Sequence, residues 1–273
     1  MPVTRRQTPV GGPGTRLFAG LLLGCVGLVV AGLLALIVAD VAYVRPSALR
    51  EVLVSREIRA SLWLTTWTSL VTVVLGLLVS VPVGYALSRY RFPGHALVDS
   101  FIELPIILPP LVLGLSLLVF FQTAVGRAIE ATGLSFVYQP LGIVLCQLLL
   151  SVSFGVRALK LAFDEVDPRL EHVAMTLGCG RAGAFWHVAL PLARRGIVTG
   201  GILVWARAFG IFGPLMIFVG SVRMRTEVLS TTIYLEQSIG RDEVALAVAL
   251  LMLALATVAL VVIRVLARRY DPC

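Results

Sequence analysis

The chain has 273 residues, 58% of them hydrophobic and 14% charged, with a mean hydropathy of +0.95. Soluble domains carry about 25% charged residues, so much of this surface must face lipid rather than water. The formal charge of +8 comes from arginine, with Lys160 the single lysine; these arginines flank apolar runs and form no continuous patch, which excludes nucleic acid as the expected partner.

Residues 1–16 hold Arg5, Arg6 and the stretch Gly11-Gly12-Pro13-Gly14, and are expected to be a disordered tail. The apolar run from Leu17 to Ala39 is longer than the roughly 7–15 residues of a signal-peptide core, so residues 17–42 read as a retained membrane anchor. A helix needs about 20 apolar residues to cross the hydrocarbon core. Further runs of that kind fall near 61–87, 98–121, 139–160, 196–220 and 243–266, which predicts an all-α membrane protein with six spans and both termini on one side. Placing the N-terminus inside gives fourteen basic residues in the inner segments against eight in the outer ones, which predicts cytoplasmic termini.

The third run contains Pro105, Pro109, Pro110 and Gly114. Each proline removes an amide donor, and freed carbonyls must be buried in protein or line a wet cavity. Either a packing kink or an interrupted helix beside a pathway satisfies that condition.

Residues 161–195 form the longest inner loop, and it is patterned. Asp167 before Pro168 is a helix-start signal. Leu170, Val173, Ala174 and Leu177 follow at the spacing of one helical face, then Gly178 and Gly180 supply a stop and a turn. A second run from Arg181 to Leu190 ends at Pro191. The apolar stripe either lies on the chain's own helix ends or docks onto a partner.

Arg207 falls within the fifth run, where a central arginine costs about 2.5–3.5 kcal/mol on insertion scales and should face the bundle interior. Glu103 is a candidate partner; the alternative is a positive lining for an anion's path. The outer segment 220–243, with Arg223, Arg225, Glu227, Glu236 and Asp242, is either solvated or a docking surface. No CxxC pair, HExxH or GxxxxGK[ST] phosphate loop occurs, so no metal site is indicated and ATP would have to be handled by another subunit. A membrane-embedded enzyme or a channel would leave the patterned loop unexplained.

The loop also carries a resemblance. Gly178, Leu190-Pro191, Val188 and Ala174 stand at the spacing of the Glu-Ala-Ala loop of permease subunits of binding-protein-dependent ABC importers. His172 and Val173 occupy the places of its Glu and first Ala, and Glu171 sits one position early. Residues 92–114, 157–192 and 205–234 are similar to molybdate and sulfate permeases.

The resemblance implies a type I ABC importer permease fold over residues 60–266, in a bacterial or archaeal inner membrane. It implies a cytoplasmic coupling helix that meets an ATPase dimer through Leu170, Glu171, Val173, Ala174, Leu177 and Gly178. Gly180, Arg181, Leu190 and Pro191 would complete that contact. The pathway would involve Glu103, Pro105, Pro109, Pro110, Arg207, Gly210 and Gly213. ATP and Mg would belong to the ATPase, with no cofactor in this chain. An external binding protein and a second permease copy, favoured as a homodimer, complete the expected assembly. One departure bears on cargo: the molybdate-type pattern Ala-Arg-x-x-Gly-Glu-Phe-Gly reads here Ala206-Arg207-Ala208-Phe209-Gly210-Ile211-Phe212-Gly213, with Ile211 in place of the acid. A small oxyanion is the expected solute, with iron, a polyamine or another anion as the alternative.

Overall fold

A computed structural model describes residues 13–269, and all the regular structure among them is helical. The first helix, α1 (Pro13–Tyr43), begins inside the tail expected to be disordered; residues 1–12 of that tail lie outside the described residues. None of the apolar window of α1 is buried, so it lies on the periphery of the chain. A short α2 (Pro46–Val54) leads into α3 (Arg56–Arg89), 34 residues long, which at 1.5 Å per residue runs about 50 Å.

The third predicted span is not one helix. It divides into α4 (His95–Ile107) and α5 (Pro110–Gln122), bent by 109° at Leu108-Pro109. Pro109 and Pro110 cannot donate to the carbonyls of Pro105 and Ile106, so the ladder stops there. After α6 (Ala124–Ala131) comes α7 (Pro140–Asp164), the most deeply buried of the long helices.

The patterned loop folds as α8 (Pro168–Thr176) followed by a continuous helical run from Arg181 to Leu192, made of α9 (Arg181–Ala184), a π turn (Phe185–Ala189) and α10 (Leu190–Leu192). The run passes through Pro191 instead of ending there. The wide π turn supplies the reason: the Leu190 amide donates to the Phe185 carbonyl one residue further back than in an α-helix, which opens room for the proline ring.

The fifth predicted span also breaks. α11 (Arg194–Phe209) has 16 residues, about 24 Å, and is bent by 73° from the run before it. Gly210 to Phe212 interrupt it, and α12 (Gly213–Phe218) takes the rest. α13 (Leu229–Ser238) and α14 (Asp242–Arg269) complete the described chain. Four helices are long and apolar enough to cross a membrane, and the count reaches six only if each bent pair is one span.

The centre is a three-helix packing of α3, α7 and α11. The buried stripe of α3 is small and polar: Ser61, Thr65, Thr68, Ser69, Thr72, Gly76, Ser80 and Gly84. Between lipid-embedded helices there is little hydrophobic drive, and small residues gain contact by letting backbones approach. A Cβ added to Gly155 would lie 2.5 Å from Ser80 Oγ and 2.7 Å from Val204 Cγ2, so all three helices meet at that glycine. One turn-pair away, the Gln147 amide donates to the Ala208 carbonyl at 3.1 Å while its oxygen accepts from the Thr72 hydroxyl at 2.8 Å.

Candidate functional site

α8 is fixed at both ends by local chemistry. The Asp167 carboxylate accepts from the Arg169 amide at 2.9 Å, and Pro168 opens the helix. At the far end the Gly178 amide donates to Met175 O and the Cys179 amide to Ala174 O, both at 3.1 Å. That is a Schellman closure, and Gly178 holds the φ of +97° that it requires.

The helix is inverted relative to an ordinary amphipathic packing. Leu170, Val173 and Leu177 are 47%, 56% and 82% exposed, whereas Glu171 is 6% exposed. The apolar stripe therefore does not lie on the chain's own helix ends. The charged residue does. Glu171 Oε1 accepts from Arg89 Nε at 2.7 Å, and Oε2 accepts from the Tyr85 hydroxyl at 2.6 Å. Arg89 also donates through Nη2 to Val166 O at 2.8 Å. A carboxylate is thus present where the loop pattern asks for one, supplied from one position earlier; His172, at the pattern's own position, is exposed.

Aromatic packing adds a second fastening. Tyr85 meets Phe185 edge-on at 4.7 Å and Phe163 at 5.3 Å, which ties the second run of the hairpin to α3 and α7. A cavity of about 410 Å³ remains between the end of α3 and the hairpin, lined by Arg89, Glu171, His172, Met175 and Arg181 among others.

The candidate pathway residues divide into two groups. Pro105, Pro109 and Pro110 sit at the α4–α5 break, with the last two exposed, and Gly210 and Gly213 bracket the α11–α12 break. These breaks approach one another: a Cβ on Gly114 would stand 2.7 Å from Pro214 Cα, and one on Gly213 would stand 3.2 Å from Leu111 Cδ2. Ile211, 6% exposed, joins Leu117, Phe121, Leu215 and Phe218 in the core beneath them.

Glu103 and Arg207 are not brought together. Glu103 pairs with Arg157, and Asp99, one turn earlier, pairs with Lys160 at 2.6 Å, so both acids of α4 are spent on α7. Arg207 instead lies over the Phe154 ring, its guanidinium carbon 5.4 Å from the centroid, and its buried Nε has no hydrogen-bond partner. The expected Glu103 partnership fails because Arg157, on the helix packed against α4, is the nearer cation.

The end of the bundle opposite the hairpin carries a network in which Arg223 and Glu236 of the outer segment are joined by Glu51, Glu57 and Arg241, which the sequence did not single out. Arg223 joins Glu57 at the start of α3 to Glu236 on α13, the latter at 2.9 Å. Arg241 joins Glu51 on α2 to the same Glu236 at 3.2 Å. Glu227, in the loop before α13, is 3% exposed with one carboxylate oxygen unpartnered. Burial raises its pKa, aided by Glu57 and Glu236, against the lowering by Thr232 and Arg223.

Two outcomes follow from these contacts. Removing the carboxylate in Glu171→Ala strands Arg89 in a buried site and should cost about 3 kcal/mol, seen as a lower unfolding midpoint and faster tryptic cleavage at Arg169 and Arg181. Glu227 holds its proton to higher pH in the fold than in the unfolded chain, so its contribution to stability is full at low pH. That contribution is lost as pH rises from the ordinary Glu range through the raised value. Glu227→Gln should therefore flatten the fall in melting temperature between acidic and alkaline buffer.

Comparisons with known proteins agree with this geometry. Residues 73–272 match the family described as binding-protein-dependent transport system inner membrane component. The molybdenum transport system permease protein ModB of Escherichia coli K12 is 36% identical over 214 residues, covering 76% of this chain and 93% of that protein. The sulfate transport system permease protein CysT of the same organism is 29% identical over 260 residues, 94% of each chain. Among solved structures, a bacterial ABC transporter involved in the import of the acidic polysaccharide alginate superposes with a TM-score of 0.76 at 15% identity, over 94% of this chain and 96% of that one. The chain belongs to the family of binding-protein-dependent transport system inner membrane components, and is a multi-pass permease subunit.

Proposed function

We propose that this chain forms the translocation pathway of an ATP-driven importer for a small oxyanion, of the molybdate, tungstate or sulfate kind, working by alternating access. The observation that carries the reading is the inverted α8: a rigid helix with its charge anchored inward and its apolar stripe presented outward. Such a surface suits a coupling helix seated on a separate ATPase subunit, and the chain has no phosphate loop of its own. ATP and Mg would be held there, and this chain would be no enzyme. A rigid helix fastened to α3 by an ion pair, joined to α7 by a short connection and to α11 through the helical run 181–192, passes on a rigid-body push that a slack loop would absorb.

The arginine distribution supports placing the hairpin and both termini in the cytoplasm. The network of Arg223, Arg241 and Glu236 then faces the exterior, where a substrate-binding protein would deliver cargo. The exposed break at Pro109-Pro110 supports a second copy of the chain, since freed carbonyls at membrane depth need protein or a wet cavity beside them. Both broken helices, including Glu103, Pro105, Gly210 and Gly213, are assigned to that shared pathway. A different solute remains the second reading, favoured by one observation: Ile211 is an apolar core residue where the molybdate-type pattern has an acid.

Two measurements test the proposal. Cys179 is exposed at the turn of the hairpin, so with Cys179 as the sole cysteine a membrane-impermeant maleimide should label inside-out vesicles and not intact cells; labelling of intact cells refutes the orientation. Gly178→Leu puts a side chain at a φ of +97°, a cost of about 1–2 kcal/mol. It should lower oxyanion uptake on the order of tenfold without reducing membrane insertion, and undiminished uptake would remove the hairpin from the coupling role.

A further inference from the structure

Among the described residues, no carboxylate pairs with the charge of Arg207. It stands in the last turn of α11, about 18 Å along the helix from Arg195 by helical rise. A guanidinium at that depth needs a counter-charge or water. Among the described residues no carboxylate forms an ion pair with it: Glu103 is held by Arg157 and Asp99 by Lys160. One turn further on, Ile211 offers only an apolar side chain, buried in the core. The Nε atom is buried without a hydrogen-bond partner, and among the described residues the cation lies against the ring of Phe154.

Beside it lies an open route. A groove of about 560 Å³ runs between α7, α11 and α4, and Phe154 and Leu203 form the end nearest Arg207. Leu203 is one turn before Arg207 on α11, and Thr199 one turn before that. The groove becomes polar in this direction, with the Thr199 hydroxyl on one wall and Arg157 on the other. It ends among Glu165 and Arg195, where α7 and α11 meet the hairpin.

We propose that Arg207 is a transient anion contact in the pathway, which leaves the face of Phe154 to donate hydrogen bonds to a passing oxyanion and releases it into the groove past Thr199 and Arg157. The inference rests on the oxyanion reading given above. The physics of release is as specific as that of capture. A charge-assisted hydrogen bond from a guanidinium to an oxyanion is stronger than a cation–π contact, so the anion wins while it is present. The ring then takes the guanidinium back, which weakens the net hold and keeps the cargo from being trapped. A single arginine per copy, reaching the groove's end through Phe154, makes a checkpoint for charge and not a storage site.

The test uses the complete transporter with its ATPase and binding protein in proteoliposomes, with labelled molybdate, tungstate and sulfate as probes and ATP hydrolysis measured in parallel. For Arg207→Gln the number of anions imported per ATP hydrolysed should fall on the order of tenfold, with the half-saturating anion concentration unchanged because the binding protein sets it. Arg207→Lys, which keeps the charge, should restore at least half of the lost ratio. A purely structural arginine would lower uptake and hydrolysis together and leave their ratio at the wild-type value, and that result overturns the proposal. If Arg207→Gln does not assemble, Phe154→Leu decides, since it keeps the arginine and removes the ring that takes it back: a fall in anions imported per ATP supports the contact, and a wild-type ratio refutes it. A wild-type complex that imports none of the three anions while hydrolysing ATP brings down the oxyanion reading itself, an outcome distinct from a failure confined to the variants.

Discussion

The buried pair of Glu171 and Arg89 ties the hairpin to the main helical bundle. Arg89 is the last residue of α3, the longest helix of the bundle, and Glu171 lies in the first turns of α8. With Tyr85 donating to the second carboxylate oxygen, the acid is satisfied on both sides and the helix cannot roll. Burying two charges is costly unless the geometry is good and the remaining valences are filled; here Val166 O takes a further Arg89 donor. The pair thus sets orientation as much as stability. It decides which face of α8 turns inward, and so leaves Leu170, Val173 and Leu177 outside.

The two broken helices obey a related constraint. A backbone interrupted within lipid must have its polar groups met by protein or water. The approach of Gly114 to Pro214 covers one side of both interruptions, and the glycine is what allows backbone to touch backbone there. The other side, at Pro109 and Pro110, stays exposed in the single chain. An element whose ladder is already cut can change angle at small cost, which suits a segment that lines a pathway. The intact helices α3 and α7, locked by Gly155, Ser80 and the Gln147 amide, serve as the frame against which such changes occur.

Charge is divided along the same axis. At one end Arg223 and Arg241 converge on Glu236 and hold the loop before α13 against α2 and α3. At the other, Arg89 holds the hairpin. Between them Arg157 and Lys160 fasten α4 to α7, and Arg207 lies on an aromatic ring, with no acid paired to it among the described residues.

Composition and run length by themselves determined that the chain is a helical membrane protein, because about 20 consecutive apolar residues have no other stable place. The sequence also determined the local signals: Asp167-Pro168 starts a helix and Gly178 ends one, since capping and a positive φ depend on neighbours within a few residues. Only the tertiary structure decided what those helices face. The periodicity of residues 170–177 revealed a stripe but not its direction, which rests on Arg89 and Tyr85 about 85 positions earlier. Hydropathy counted the third and fifth runs as single spans, and the prolines of the third left a kink or an interruption open, because a sum over residues is blind to where the helix breaks and by what angle. The partner of Glu103 was likewise beyond reach of the sequence: which of several arginines lies nearest to an acid is settled by helix packing, a long-range outcome that spacing along the chain does not encode.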